Sequence, residues 1–307
     1  MKMVPVVLGP TASGKTSLAI RLAKTIDGEV IGLDSRQIYE KLPIGTAQPT
    51  KKEMGSIAHH LIGNKPLSEP VSAGQYAKLV YRCIEKIRTK EKMPIVCGGA
   101  GLYYRALSKG IFDESKTDLI IRKKFEKRYD DGHAQEMYDE LKKIDLKYSS
   151  HVHINNRKRL IRALEIYKTT GKSPSEHFKN QKNQPPQDIN FYAIYLNWDR
   201  ALLKKRIAKR TSLLLKMGWI EEVKKLINEY PDFDIQPLDS IGYSQIALYL
   251  KNQLNLEELE LEISTKTYQY AVKQIKWFKK EKINLVIDIN SQTSSKEIAD
   301  KIVSKII

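Results

Sequence analysis

The stretch GPTASGKT, Gly9 to Thr16, decides the fold. It lies between a short apolar run, Val4 to Leu8, and an amphipathic segment beginning near Ser17, so it reads as strand, phosphate loop and helix. Gly9, Gly14, Lys15 and Thr16 keep the G-x-x-x-x-G-K-[ST] spacing. Glycines allow backbone angles that a Cβ forbids, so successive amides can curl around phosphate oxygens. The following helix brings its positive end and its unsatisfied N–H groups to the same point. Lys15 then supplies a point charge for the outer phosphate, and the Thr16 hydroxyl a ligand for Mg²⁺. The loop as a whole, Gly9, Pro10, Thr11, Ala12, Ser13, Gly14, Lys15 and Thr16, is the expected binding site for a di- or triphosphate.

Outward from the loop, the helix stripe Leu18, Leu22, Ile26 stops near Asp27-Gly28. A strand, Glu29 to Leu33, then delivers Asp34-Ser35-Arg36-Gln37. In open parallel sheets ligands sit beyond the carboxyl ends of the strands, which puts Asp34 beside the phosphate loop. One reading of Asp34 is a helix N-cap. The other is a general base or an indirect Mg²⁺ ligand, because a carboxylate aimed at a polyphosphate is repelled unless it meets a metal or a transferable proton. Pro94 to Cys97 reads as a third strand, ending in Gly98-Gly99. A phosphate-loop ATPase carries a metal-holding acid at such a strand end. Two glycines in its place argue against routine ATP hydrolysis and predict something bulky close to the backbone.

The rest of the chain reads as α/β. Ser72 to Lys90 is helical along Tyr76, Val80, Ile84 and Ile87, and Phe191 to Trp198 is a fourth, fully buried strand that returns to the parallel sheet. A last strand starts at Ile283. From about Ser115 the character changes to charged helices, up to the polar run Lys179 to Asp188. The expected organisation is therefore a phosphate-loop (P-loop NTPase-like) parallel-sheet core flanked by helices, residues 1–114 and 189–307, with an inserted all-helical domain at 115–188. In the insertion, a cap at Asn155 or Asn156, the stripe Leu160, Ala163, Leu164, Tyr167 and a stop at Gly171 define one helix. Its first turns are crowded by Arg157, Lys158, Arg159 and Arg162. Cations at a helix N-terminus oppose its dipole, so an anionic partner is expected there.

Charge points the same way. The 307 residues carry 53 Lys and Arg against 36 Asp and Glu, a formal net charge of +17. Such a surplus suits a polyanion, nucleic acid first. Arg206 and Arg210 stand at i, i+4 on a later helix, either solvated or clamped on an anion. Lys266, Tyr270, Lys273, Trp277 and Lys280 form a stripe suited to a nucleic-acid backbone, with Ile263, Thr267, Ala271, Gln274 and Phe278 left to face the protein. His59-His60 read as packing or hydrogen-bonding residues, and the two cysteines, Cys83 and Cys97, as reduced thiols. The loop comes so soon after the N-terminus that no signal peptide fits, and no apolar run approaches the ~20 residues of a bilayer span, so a cytoplasmic location is expected.

Taken together, GPTASGKT, Asp34-Ser35-x-Gln37-x-Tyr39, IGTA at Ile44 to Ala47, GGxGLY at Gly98 to Tyr103, RLIRALE at Arg159 to Glu165, IGY at Ile241 to Tyr243 and the Gln274 to Phe278 segment resemble, in this order, the tRNA dimethylallyltransferase family. The resemblance implies transfer of a dimethylallyl group from dimethylallyl diphosphate to N6 of the adenine 3′-adjacent to the anticodon, position 37, in tRNAs reading codons that start with U. It implies Asp34 as the base for the amine, with Lys15 and Thr16-bound Mg²⁺ stabilising the leaving diphosphate and Arg210 contacting it. It also implies that Asp34, Ser35, Arg36, Gln37, Ala100, Arg122, Lys158, Arg159, Leu160, Ile161 and Arg162 meet the tRNA anticodon stem-loop. A monomer is the expected form, although the sequence does not decide between monomer and dimer. The chain departs from the family's GGTGLY at Ala100, from His-Pro-Asn-Asp at His153 to Asn156, and from IGYKE at Ser244-Gln245. Two other readings stay open: a phosphate-loop small-molecule kinase, and an RNA-binding protein switched by nucleotide.

Overall fold

The computed structural model describes residues 3–110, 118–179, 186, 188–231, 239–290 and 294–306. The chain divides into two compact units, residues 1–108 with 186–307, and residues 109–185. The expected linkers, near 115 and at 179–188, fall largely outside the described residues.

The larger unit is a six-stranded sheet, all of whose pairings are parallel. Its strands are β1 Met3–Leu8, β2 Gly28–Leu33, β3 His59–His60, β4 Met93–Gly98, β5 Asn190–Trp198 and β6 Leu285–Ile289, in the order β3-β2-β4-β1-β5-β6. Apolar residues on both faces of β1, β2 and β4 suit strands covered on each side. One face packs on α1 (Lys15–Thr25), through Leu18 and Leu22, and on α14 (Ser295–Ile306), through Ile298 and Ile302. The other packs on α3 (Ala73–Arg88), α4 (Gly101–Lys109), α11 (Trp219–Glu229), α12 (Tyr243–Leu250) and α13 (Leu256–Phe278). The α3 stripe is as its spacing predicts, with Tyr76, Val80, Ile84 and Ile87 all buried, and its entry is fixed by a Ser72–Gln75 capping box. Helix α2 (Lys51–Met54) precedes β3, and α10 (Arg200–Lys216) follows β5.

Two strand expectations are corrected. The strand ending at Cys97 is fourth in the chain, because β3 precedes it; two residues carry no periodicity from which to read a strand. Strand β5 is buried only from Ala193 to Leu196, its ends being open to solvent. His60 of β3 bonds Glu29 through Nε2 at 2.7 Å, and His59 Nδ1 lies 2.9 Å from Ile57 O, the hydrogen-bonding roles expected of them.

Register positions the site. Leu8 of β1 lies opposite Gly98 of β4, and Gly98 opposite Leu33 of β2. The residues that follow, Gly9, Asp34 and Gly99, therefore leave the sheet at one level and at one end.

The smaller unit is helical: α5 Leu119–Asp130, α6 Ala134–Ile144, α7 Leu146–Ser149, α8 Arg157–Thr170 and α9 Pro174–Lys179. Met137, Leu141, Val152, Leu160, Ile161, Ala163 and Leu164 form its core. Asn156 caps α8 through its side chain, and Gly171 ends it in the left-handed region. Tyr167, expected in the core stripe, is instead 40% exposed.

Candidate functional site

The site begins with the loop that follows β1. Gly14 stands at φ 84°, which a Cβ would disfavour, and α1 starts on it with no side-chain cap, leaving the helix's first amides open. Three loop carbonyls are taken, one by the loop's own lysine and two by donors from other parts of the chain. Lys15 Nζ donates to Pro10 O at 2.6 Å, Arg206 Nε to Ala12 O at 3.0 Å, and Trp198 Nε1 to Ser13 O at 3.0 Å. In a trans peptide the C=O and the next N–H point opposite ways. Tying back the carbonyls of Ala12 and Ser13 therefore turns the N–H groups of Ser13 and Gly14 away from Arg206 and Trp198.

A fourth contact fixes the loop from α13. Gln274 accepts the Thr11 N–H on Oε1 at 2.8 Å and donates from Nε2 to Gly99 O at 2.8 Å. The close approach expected at Gly98 and Gly99 comes from the protein itself. A Cβ on Gly98 would sit 2.0 Å from Leu33 O, and one on Gly99 2.6 Å from Gln274 Nε2.

Four charged groups converge. Burial lowers the Lys15 ammonium to about 8, with nearby Arg210 pushing the same way and Cys97 and Asp34 opposing. Burial likewise lowers Arg210, against a favourable field from Asp34. Arg210 reaches Thr11 Oγ1 from NH1 at 3.3 Å, while Arg206 stacks on Trp198 at 4.5 Å. Of the two arginines on α10, Arg210 is thus the one directed at the loop's side chains. Burial pushes the Cys97 thiol up to about 12, so it stays a neutral thiol, as expected of it.

Asp34 is held by its own turn. Its Oδ1 accepts the N–H groups of Arg36 at 2.8 Å and Gln37 at 3.2 Å, and its own N–H meets Tyr76 Oη at 3.4 Å. Tyr76 donates to Gly32 O at 2.8 Å and packs on Tyr103 at 4.7 Å. The residue does cap a backbone turn, as one reading had it, but no helix follows. These bonds fall on Oδ1, and among the described residues none falls on Oδ2. Its field reaches Lys15 and Arg210 on one side and Tyr270 of α13 on the other.

The neighbours of Asp34 are less free than the sequence suggests. Gln37 spends its amide on Thr46 O and Ala47 O, both at 2.9 Å, and Arg36 pairs with Asp239 at 2.7 Å. Ser35 and Ala100 are partly exposed beside them, Ala100 at the start of α4. In the stripe on α13, Trp277 stacks with Arg105 at 4.5 Å and Lys266 pairs with Glu262, whereas Tyr270 keeps 40% exposure. On the opposite face Ile263, Ala271, Gln274 and Phe278 are buried, as expected, with Thr267 at the margin.

In the helical unit, α8 presents Lys158 and Arg159 to solvent. Arg159 forms no ion pair among the described residues. Arg157 is doubly bonded to Asp130 at 2.8 and 2.7 Å, Arg162 pairs with buried Glu165 at 2.8 Å, and Arg122 of α5 with Glu126 at 3.3 Å. Leu160 and Ile161, expected among the RNA contacts, turn their side chains into the core at 0% and 1% exposure, because α8 must turn one apolar face inward to hold this unit together.

Among the described residues no group of three or more His, Cys, Asp or Glu is placed to hold a metal. The Thr16 hydroxyl stands in the first turn of α1, and together with phosphate and water oxygens it would make an all-oxygen donor set of the kind a hard divalent cation takes. Sequence reasoning missed Trp198 and Gln274 as holders of the loop, and Tyr76 as a holder of Asp34. Gln274 had one signal, a polar residue on the buried side of an apolar stripe.

Comparison with known proteins gives a consistent picture. Residues 37–281 match the family described as IPP transferase. The tRNA dimethylallyltransferase of Acetivibrio thermocellus is 39% identical over 281 residues, 91% of this chain and 90% of that protein. That of Bacillus mycoides is 36% identical over 307 residues, 99% and 95% of the two chains. Among solved structures, the tRNA isopentenylpyrophosphate transferase of Bacillus halodurans superposes with a TM-score of 0.71 at 33% identity, covering 100% of this chain and 97% of that one. A eukaryotic dimethylallyltransferase acting on tRNA gives 0.83 at 27% identity, covering 100% and 81%.

Proposed function

The chain belongs to the IPP transferase family and transfers a dimethylallyl group to tRNA; we propose that Asp34 is the base of that reaction and the Gly9–Thr16 loop the seat of the donor's diphosphate. The acceptor is N6 of the adenine at position 37, next to the anticodon, in tRNAs that read codons starting with U. The observation that carries the reading is the common level at which β1, β2 and β4 end, with the Asp34 charge felt by both Lys15 and Arg210.

The N6 amine attacks the carbon that carries the diphosphate, the new C–N bond forms as the C–O bond breaks, and diphosphate leaves. An aniline-like amine is a poor nucleophile, so its proton has to depart as the bond forms. Asp34 accepts it on the oxygen its own turn leaves open. The amides of Ser13 and Gly14 and the start of α1 receive phosphate oxygens, and Lys15 exchanges Pro10 O for a phosphate oxygen. Arg210, next to Thr11, neutralises the remaining charge. Mg²⁺ on Thr16 would add further neutralisation of the diphosphate. A base inside an anticodon loop has to leave its stack to reach Asp34, and Lys158 and Arg159 of the helical unit are suited to contacting tRNA phosphates. Arg122 and Arg162 must first release their present carboxylates to join them. A monomer suffices for this chemistry, since every proposed group comes from one chain.

A γ-phosphate switch is disfavoured by Gly98-Gly99, where it would need an acid, and a small-molecule kinase leaves the exposed cations of α8 without a task. The test is transfer of radiolabelled dimethylallyl diphosphate to unmodified bulk tRNA with Mg²⁺ and no ATP, followed by nucleoside digestion. Label on N6-modified adenosine from the anticodon loop is expected. Label absent from that nucleoside overturns the acceptor assignment.

A further inference from the structure

We infer that Glu222 of α11 is a positioning residue for Asp34, acting through the Ile44–Ala47 loop and Gln37; the inference rests on Asp34 serving as the base. Glu222 is 8% exposed, and its carboxylate carries three hydrogen bonds. Oε2 accepts the Ile44 N–H at 2.7 Å, and Oε1 accepts the Gly45 N–H at 3.0 Å and the Tyr243 hydroxyl at 2.7 Å. A buried carboxylate is costly unless its lone pairs are satisfied, and here all three donors come from the loop and from the helix beside it. Tyr243 is itself 1% exposed and meets Trp219 edge-on at 5.8 Å, so the carboxylate's surroundings are packed and cannot drift.

The loop that Glu222 fixes is in turn what fixes Gln37. The next two carbonyls, Thr46 O and Ala47 O, both accept from Gln37 Nε2. Gln48 Nε2 returns from the same loop to Gln37 O at 3.0 Å and Tyr39 O at 2.8 Å. Gln37 then donates its backbone N–H to Asp34 Oδ1. The path Glu222, loop, Gln37, Asp34 is made of hydrogen bonds between residues, joined covalently within the loop and within Gln37, from its side chain to its backbone N–H. It ends on the carboxylate oxygen that decides which way the other one points. Strand β2 hands Asp34 to an irregular stretch, with no helix to hold it, so the precision of the base depends on this support.

The path runs on the acceptor side. The diphosphate loop hangs on β1, β5, α10 and α13 and shares none of these bonds. Loss of the Glu222 charge should therefore slow transfer without loosening the donor, a split that general destabilisation does not produce.

The experiment is a double-mutant cycle in the full chain with bulk tRNA, reading kcat for transfer and Kd for dimethylallyl diphosphate. Glu222→Gln is expected to lower kcat by about 10-fold, the effect of one lost charged hydrogen bond, while the donor Kd changes by less than about 2-fold. In a Gln37→Ala background the same substitution should cost little more, because both remove one path. Tyr243→Phe, which keeps the carboxylate and removes one donor, should give a smaller loss of the same kind; it serves if Glu222→Gln fails to fold. Losses that multiply in the cycle, or a donor Kd that weakens in step with kcat, overturn the inference. Asp34→Asn is run alongside: normal turnover there ends the base assignment itself, whereas a dead Asp34→Asn with a multiplicative cycle ends only the role of Glu222.

Discussion

The Gln274 side chain accepts the Thr11 N–H across 263 residues of sequence, and its other end holds Gly99 O, so one amide joins the donor loop to the end of β4. Gln274→Ala leaves the buried Gly99 carbonyl without this partner, at about 1–3 kcal/mol, and the part-buried Thr11 N–H without its acceptor, at less. The KM for dimethylallyl diphosphate should rise by about 10-fold or more. Gln274→Glu keeps the acceptor, loses the donor and adds an anion beside the loop, so it should weaken donor binding further than alanine does. Steady-state kinetics at saturating tRNA decide this. Unchanged KM in both variants would sever the link between Gln274 and the donor site.

Lys15 gives a pH dependence with a definite sign. Burial holds its folded-state value near 8, below the ordinary lysine range, so the free enzyme loses this positive charge as pH rises through about 8. A bound diphosphate favours the charged form and lifts that value. The alkaline limb should therefore appear in kcat/KM for the donor near pH 8 and be displaced upward in kcat. Coincident limbs in the two profiles would mean that Lys15 does not face the diphosphate.

Asp34→Asn is expected to fold and to bind both substrates, because the amide oxygen still accepts the N–H groups of Arg36 and Gln37. It has no lone pair of useful basicity left for the amine, so transfer should fall by ~10²-fold or more. Single-turnover rates with preloaded donor separate this from a binding defect.

Arg159→Ala probes the other substrate. Its side chain is exposed and forms no ion pair among the described residues, while its backbone N–H serves the Asn156 cap. Filter binding of tRNA should weaken, with the slope of log K against log salt reduced by about 1, and the donor Kd should not move. Full tRNA affinity with an unchanged slope would remove α8 from the interface.

Much of this was legible because it is local. The strand, loop and helix around Gly9–Thr16 are fixed by neighbours a few positions apart, as is the α3 stripe from Tyr76 to Ile87. Asp34 could be placed by the rule that ligands gather at strand ends. What was hidden depends on partners distant in sequence. Nothing in MGWIEEV tells that Glu222, and not Glu221, turns inward to meet Ile44 and Gly45. Trp198 looks like the end of a strand until Ser13 O is found beneath its indole. The run Arg157 to Arg162 left something else unread. A motif names consecutive residues, but a helix sends Leu160 and Ile161 to the core while Lys158 and Arg159 stay outside.

The tied-back carbonyls of Pro10, Ala12 and Ser13 bear on how the enzyme comes to rest after each cycle. A cradle prepared in advance for a departing diphosphate is equally prepared to keep it. On the proposed seating, the amides and ammonium that receive the donor would also hold the product once the prenyl group has gone. Inorganic diphosphate is then expected to compete with fresh donor, and whatever clears that by-product would favour the next cycle.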